Sequence, residues 1–325
     1  MKLSTSIVGG VLAGTLALGL AAVTTASATE TNTPATTEVA VSASDRVFPS
    51  TLSLPDGSVP EGIAISGIHA YVTSFADGTV YKLNLATGRY KVLSPATGTG
   101  AVGIMLHDGR LFVAGGTAGT VRVLDPGSGE ELASYTVGTT GQTFINDFTV
   151  LDGVVYATDT FSPVLHKLPL GENGELPAAD QVETIALDGI TYSEGFNVNG
   201  ITTTPDGEAL LLVQTNTGLL YRVEESTGAA DQVDVGEADL TWGDGMLLEG
   251  NTLYVVRNFP NTVAVLELDD TGTTAALTDE LTDPRFDTPT TIARFKDSFY
   301  LPNARFTAED PSSANFFVTA IPDAS

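Results

Sequence analysis

Between residues 60 and 306 one pattern recurs six times: a short polar or Gly-bearing step, a β-rich run, a tight turn, a second run, a polar loop and a third run. The repeats begin "PEGIAISGIHAYVTSFADGTVYKLNL", "AVGIMLHDGRLFVAGGTAGTVRVL", "INDFTVLDGVVYATDTFSPVLHKL", "VNGITTTPDGEALLLVQTNTGLLYRV", "GDGMLLEGNTLYVVRNFPNTVAVLEL" and "PTTIARFKDSFYLPNARF". The second residue of each opening step falls at 62, 103, 147, 200, 245 and 291, so successive repeats are 41, 44, 53, 45 and 46 residues apart. A period of about 40–50 residues is what one four-stranded antiparallel blade requires. The chain is therefore expected to be all-β, a six-bladed β-propeller with four-stranded blades. The segment "RVFPSTLSL" (46–54) is expected to pair into the last blade and close the ring, because an open ring would leave exposed sheet edges. Two packed β-sandwiches would need no such period.

The turns agree with this. Asp108-Gly109, Asp152-Gly153 and Asp206-Gly207 stand between the first and second runs of their repeats, and Glu249-Gly250-Asn251 occupies the same place in the fifth. Asp-Gly supplies the positive φ that hairpin turns demand, so these carboxylates are read as structural.

A second register of polar residues lies about six positions earlier, at the start of each first run: Glu61, Val102, Asn146, Asn199, Asp244 and Thr290. The innermost strand of a blade runs along the central channel, so equivalent positions converge near the axis. Four of the six carry a carboxylate or amide oxygen, and Gly62, Gly103, Gly200 and Gly245 follow as crowding requires. Carboxylates aimed into one channel repel unless a cation lies between them. Glu61, Asn146, Asn199 and Asp244 are thus the candidate ligands of a divalent metal. All are hard oxygen donors, which points to Ca²⁺ ahead of Zn²⁺, Mn²⁺ or Mg²⁺.

The polar loops after the second runs open at the same mouth. They offer Ser74, Asp159, Gln214, Asn216, Arg257, Asn258, Asn303 and Arg305 as a rim, with the two arginines suited either to a substrate oxygen or carboxylate or to a salt bridge with a neighbouring Asp. Trp242 is read as packing between blades, with stacking on a ligand as the alternative. His69, His107 and His166 are scattered and read as packing or surface residues.

Composition narrows the function classes. With 40 Asp+Glu against 14 Lys+Arg and a net charge of −26, the surface repels nucleic acid and anionic lipid. There is no Cys, so neither a disulfide nor a thiolate metal site exists. Together with the absence of a Gly-rich βα turn, this speaks against an oxidoreductase. Residues 1–28 read as a secretion signal: Lys2, an apolar run "IVGGVLAGTLALGLAAV" and a small-residue cleavage site at Ala26-Ser27-Ala28. The Thr/Ala-rich 29–45 reads as a flexible linker, leaving 46–325 as the propeller. A secreted monomer free of the membrane is expected.

The opening motifs "PEGIAI", "INDFTV", "VNGITT" and "WGDGMLLEGNTLYVV" resemble those of the gluconolactonase, regucalcin and senescence-marker-protein superfamily of six-bladed propellers. The resemblance runs over about residues 46–321. It implies a divalent metal held by one Glu, two Asn and one Asp, at positions matching Glu61, Asn146, Asn199 and Asp244. It further implies hydrolysis of a lactone or related ester, with Asp244 as the base toward water. Family lactonases often carry an Arg two residues before the first Asn. Here that residue is Phe144, with Gln142 and Thr143 beside it, which points away from a sugar-acid lactone and adds Gln142 to the candidate substrate contacts. "YVTSFADGTVYKLNL" is also similar to propellers that bind without catalysis, so the second expectation is an extracellular binding protein with a structural metal.

Overall fold

The structure, a computed structural model, describes residues 48–323. The expected signal (1–28) and linker (29–45) lie outside the described residues.

Six four-stranded antiparallel sheets follow one another along the chain. In five blades the strands are paired in sequence order from the inside outward, each a simple up-and-down meander. The innermost strands are Pro60–Ser66, Ile104–His107, Ile145–Leu151, Val198–Thr203, Gly243–Glu249 and Ala293–Phe295. Among the described residues, the one helical element is the 3₁₀ turn Ala179–Gln181.

The sixth blade is a composite. Its inner three strands are Ala293–Phe295, Ser298–Asn303 and Phe316–Pro322. Its outermost strand is Thr51–Leu54, which pairs antiparallel with Phe316–Pro322 through Thr51–Thr319 and Leu54–Phe316. The N-terminal strand thus closes the ring as the sequence requires.

The apolar core is distributed rather than central. Alternating apolar residues on each strand face the neighbouring blades, and a separate cluster fills each seam. Val72 and Leu83 of blade one meet Tyr300 and Val318 of blade six. Leu212 of blade four meets Tyr156 and Leu165 of blade three, and Val256 of blade five meets Phe299 and Leu301 of blade six. Burial at this scale is the dominant favourable term in holding such a ring together.

The turn assignments stand for Asp108-Gly109 and Asp152-Gly153, where both residues have positive φ (46° and 69°; 47° and 74°). The turn at Asp206-Gly207 is built differently. Only Gly207 has positive φ, and the Asp206 carboxylate accepts hydrogen bonds from the Thr204 hydroxyl and the Glu208 N–H. It is an Asx-type turn in a longer connection.

Candidate functional site

Four innermost strands share a defect at their first residues. The antiparallel register breaks between Pro60 and Ile63, between Ile145 and Phe148, between Val198 and Ile201, and between Gly243 and Met246. Each break is a β-bulge, which kinks a strand and re-aims one side chain. The re-aimed pairs are Glu61-Gly62, Asn146-Asp147, Asn199-Gly200 and Asp244-Gly245. These are the four blades whose opening step carries an oxygen donor.

Neighbouring blades lock these bulges together. Thr73 Oγ1 accepts the Gly62 N–H at 2.7 Å and donates to the Val102 carbonyl of the next blade. Thr158 Oγ1 repeats the device, accepting the Asp147 N–H at 3.0 Å and donating to the Asn199 carbonyl at 2.7 Å. Elsewhere the link is direct, Gly103 N–H to the Asn146 carbonyl and Gly245 N–H to the Thr290 carbonyl, both 2.9 Å. The glycines permit the approach. A Cβ on Gly103 would stand 2.3 Å from the Asn146 carbonyl oxygen, and one on Gly200 would stand 2.1 Å from that of Asp244.

The consequence is convergence. Glu61, Asn146, Asn199 and Asp244 all line one cavity of about 360 Å³ at the channel mouth. Each is at most 6% exposed. Asn146 spends its Nδ2 on Thr160 at 2.9 Å, leaving its Oδ1 as an acceptor. Asp244 Oδ2 accepts from Asn258 Nδ2 at 2.7 Å. Glu61 Oε2 and Asn199 Oδ1 are buried with no partner, an arrangement that costs free energy unless something fills it.

Asp147 is a further carboxylate here, one the register of opening steps does not single out because Asn146 occupies the matching position. It lines a void of about 10 Å³ beneath the cavity, together with Glu61, Asn146, Asp244, Gly103 and Gly245. That is near the lower limit for one water. The available signal was that Asp147 occupies a position held by Gly in four other blades.

The electrostatics follow from this crowding. Burial raises the Glu61 carboxyl well above the usual range, and the charges of Asp244 and Asp147 add to it. Burial likewise pushes Asp244 up to about 7, partly opposed by the Asn258 hydrogen bond, with the Asp147 charge adding to the rise. Asp147 is also pushed up to about 7 by burial, against the N–H groups of Phe148 and Ile201. Buried oxygens without partners, beside carboxylates that resist ionising together, form a donor set that fits a hard divalent cation. Among the described residues no three acidic or His side chains gather as a metal site; the set on offer is mixed, two carboxylates and two amides.

The seven residues expected to touch substrate lie elsewhere, and none lines the cavity. Arg257 is buried and held by Asp239 at 2.7 Å, by Glu280 at 3.8 Å and by the Thr241 carbonyl. Arg305 is held by Asp287 at 2.7 Å and by Asn315. In so acidic a chain, each rare cation is captured by the nearest carboxylate. Asp159 is buried and organises its own loop, accepting from the N–H groups of Phe144, Phe161 and Ser162 and from the Thr143 hydroxyl, with His166 Nε2 3.5 Å away. Gln214 is fully buried against the Thr191 carbonyl and Asn197. Asn303 is fully buried, accepting from the Asp287 N–H and donating to Thr319. Asn216 donates to Ser193 and Asn197, and Gln142 is exposed in a loop away from the cavity. Of the wider rim, Asn258 alone reaches the cavity wall.

The wall above the polar floor is aromatic instead: Phe75, Phe144, Phe196, Trp242, Phe259 and Phe306. Phe144 packs on Phe75, Phe161 and Phe196 at ring distances of 6.2, 5.3 and 5.4 Å, and Phe75 meets Phe306 at 5.9 Å. Trp242 does not sit between blades. It is 43% exposed at the mouth, edge-on to Phe259 at 4.7 Å. Its backbone is in the left-handed region at φ 67°, unfavourable by about 1–2 kcal/mol for a non-glycine residue. Hydrogen bonds from its N–H to the Thr215 carbonyl and to its carbonyl from the Asn258 N–H hold it there. The signal was present in the sequence, since Phe75, Phe161, Phe259 and Phe306 all stand just past the ends of second strands.

Fold and site together define a six-bladed propeller with an acidic channel floor under an aromatic mouth. No family model matches the chain, and no curated protein matches its sequence. Solved structures do. It is similar to the major allergen Mala s 1 of Malassezia sympodialis, with TM-score 0.65 and 14% identity over 86% of this chain and 97% of the other. It is similar to a luciferin-regenerating enzyme, with TM-score 0.60 and 14% identity over 85% and 95%. It is also similar to regucalcin, a calcium-binding protein from Agrobacterium tumefaciens strain C58, with TM-score 0.59 and 17% identity over 85% and 94%. At these identities the likeness establishes the shared propeller fold.

Proposed function

We propose that the protein is a secreted monomeric hydrolase of a lactone or related ester, with a divalent cation, Ca²⁺ first, held by Glu61, Asn146, Asn199 and Asp244. The observation that carries this reading is the meeting of those four side chains on one cavity, with Glu61 Oε2 and Asn199 Oδ1 buried and unpartnered. The calcium-binding neighbour of the same fold supports the choice of ion.

A cation there would polarise the ester carbonyl as a Lewis acid. The protein's own groups do the rest. Asp244 takes a proton from the attacking water. Asn258 fixes the orientation of that carboxylate through its 2.7 Å bond. The aromatic wall excludes bulk water and so strengthens the electrostatic interactions on the floor.

The test is metal analysis of the purified protein and of Asn199→Ala, followed by a panel of lactones and esters with and without chelator. Stoichiometric metal lost in the variant, with chelator-sensitive turnover, supports the proposal. Full activity in Asp244→Asn would remove that residue as the base.

A further inference from the structure

The mouth of the cavity says more about its ligand than the floor does. Six aromatic side chains line a space of about 360 Å³, and the polar side chains that share its wall are Glu61, Asn146, Asn199, Thr215, Asp244 and Asn258. No Lys or Arg lines it. Arg257 and Arg305, on the same side of the propeller, are spent on Asp239 and Asp287. A sugar acid or phosphorylated substrate would therefore meet two carboxylates, Glu61 and Asp244, and no cationic side chain. Hydroxyl-rich sugars would find the wall's donors already spent, Asn146 Nδ2 on Thr160, Thr215 Oγ1 on the Gly243 carbonyl and Asn258 Nδ2 on Asp244 and the Pro289 carbonyl, and a site pays for each hydroxyl left unpaired.

Two further features show that the aromatics are placed for contact rather than left over from packing. Phe196, Trp242, Phe259 and Phe306 line the cavity yet remain 42–45% exposed, in contact with Phe144, Phe259, Trp242 and Phe75 respectively. Trp242 also holds an unfavourable left-handed backbone to present its ring there, and strain of this kind gathers at ligand-binding positions.

We propose that the cavity binds an uncharged ligand with an alkyl or aryl body, taken up by the ring of Phe75, Phe144, Phe196, Trp242, Phe259 and Phe306, with a single ester or lactone group directed to the Glu61–Asn199–Asp244 floor. The ester part of this statement rests on the hydrolase reading; the apolar body does not. Ring opening adds water across the acyl C–O bond and yields a hydroxy acid.

Trp242 is the one tryptophan of the chain and lies in the wall, so its fluorescence reports occupancy without any turnover. The experiment titrates the full protein, in calcium buffer, with γ-lactones of rising alkyl length from γ-butyrolactone to γ-dodecalactone, with the matching alkanols, and with glucono-δ-lactone. The expected result is saturable quenching or a spectral shift that tightens roughly three- to fourfold per methylene over the first several carbons, is shared by alkanols and lactones, and is absent with glucono-δ-lactone. Phe196→Ala and Phe259→Ala should each weaken the long-chain lactones at least fivefold and leave metal content unchanged. Tight binding of glucono-δ-lactone, or affinity independent of chain length, overturns the proposal. Chain-length-dependent binding with no hydrolysis of any lactone keeps it and sinks the hydrolase reading instead.

Discussion

Asn258 Nδ2 donates to Asp244 Oδ2 and to the Pro289 carbonyl, each at 2.7 Å. One amide thereby ties the carboxylate to the sixth blade, although the two residues belong to the fifth. Groups that orient a metal-binding or catalytic carboxylate change affinity or activity by about 10–100-fold when removed. Asn258→Ala is expected to lower lactone turnover and metal affinity within that range while the far-ultraviolet spectrum stays β-rich. Wild-type values for both would show that Asp244 is positioned by other means.

Chelation should make the protein more stable in mild acid than at neutral pH, the reverse of the usual behaviour of carboxylates. Asp147 and Asp244 are raised to about 7 in the folded chain, against roughly 3.9 for an unfolded Asp. Between those values the folded state binds more protons than the unfolded state, so unfolding free energy falls as pH rises. Added Ca²⁺ should erase this trend by replacing the protons. Urea midpoints at pH 5, 6, 7 and 8, with chelator and with calcium, measure it; a chelated midpoint that climbs with pH contradicts the assignment.

The bulge glycines bring neighbouring backbones closer than a side chain allows. Gly200→Ala should cost about 3 kcal/mol or more, because its Cβ would fall 2.1 Å from the backbone oxygen of Asp244. Gly67 has open space around it, and Gly67→Ala should lose only about 1 kcal/mol, through its positive φ. Equal losses in denaturant melts would mean that contact between blades is not what Gly200 provides.

Thr73→Val keeps the volume and removes the hydroxyl that bridges Gly62 and Val102. Two buried backbone groups then lose a partner, at about 1–3 kcal/mol. Thr73→Ser, which keeps the hydroxyl, should recover most of that stability, and a valine variant as stable as the wild type would show that the hydroxyl bridge contributes nothing.

Much of the architecture was legible because a propeller repeats. Blade number, the closing strand and the convergence of Glu61, Asn146, Asn199 and Asp244 all follow from register, and register survives in sequence. The rim did not read correctly because polarity is a poor guide to where a side chain points. Asp159, Gln214 and Asn303 are polar in order to satisfy loop backbone, whereas Phe75, Phe259 and Phe306 from the same loops line the cavity. Arg257 and Arg305 were drawn away by carboxylates at positions 239 and 287, a choice decided by distances in space. Asp147 was hidden by the same fact that makes it informative, since a bulge turns two successive residues inward where an ordinary strand would turn one.

The pairing of Thr51–Leu54 with Phe316–Pro322 joins segments more than 260 residues apart. During synthesis Thr51–Leu54 waits for a partner made more than 260 residues later. Until the other end arrives, five complete blades carry two raw flanks, and the metal-ligand candidates of blades one and five have no common wall to meet across. The arrival of Phe316–Pro322 therefore decides at a stroke whether the ring closes and whether its centre exists.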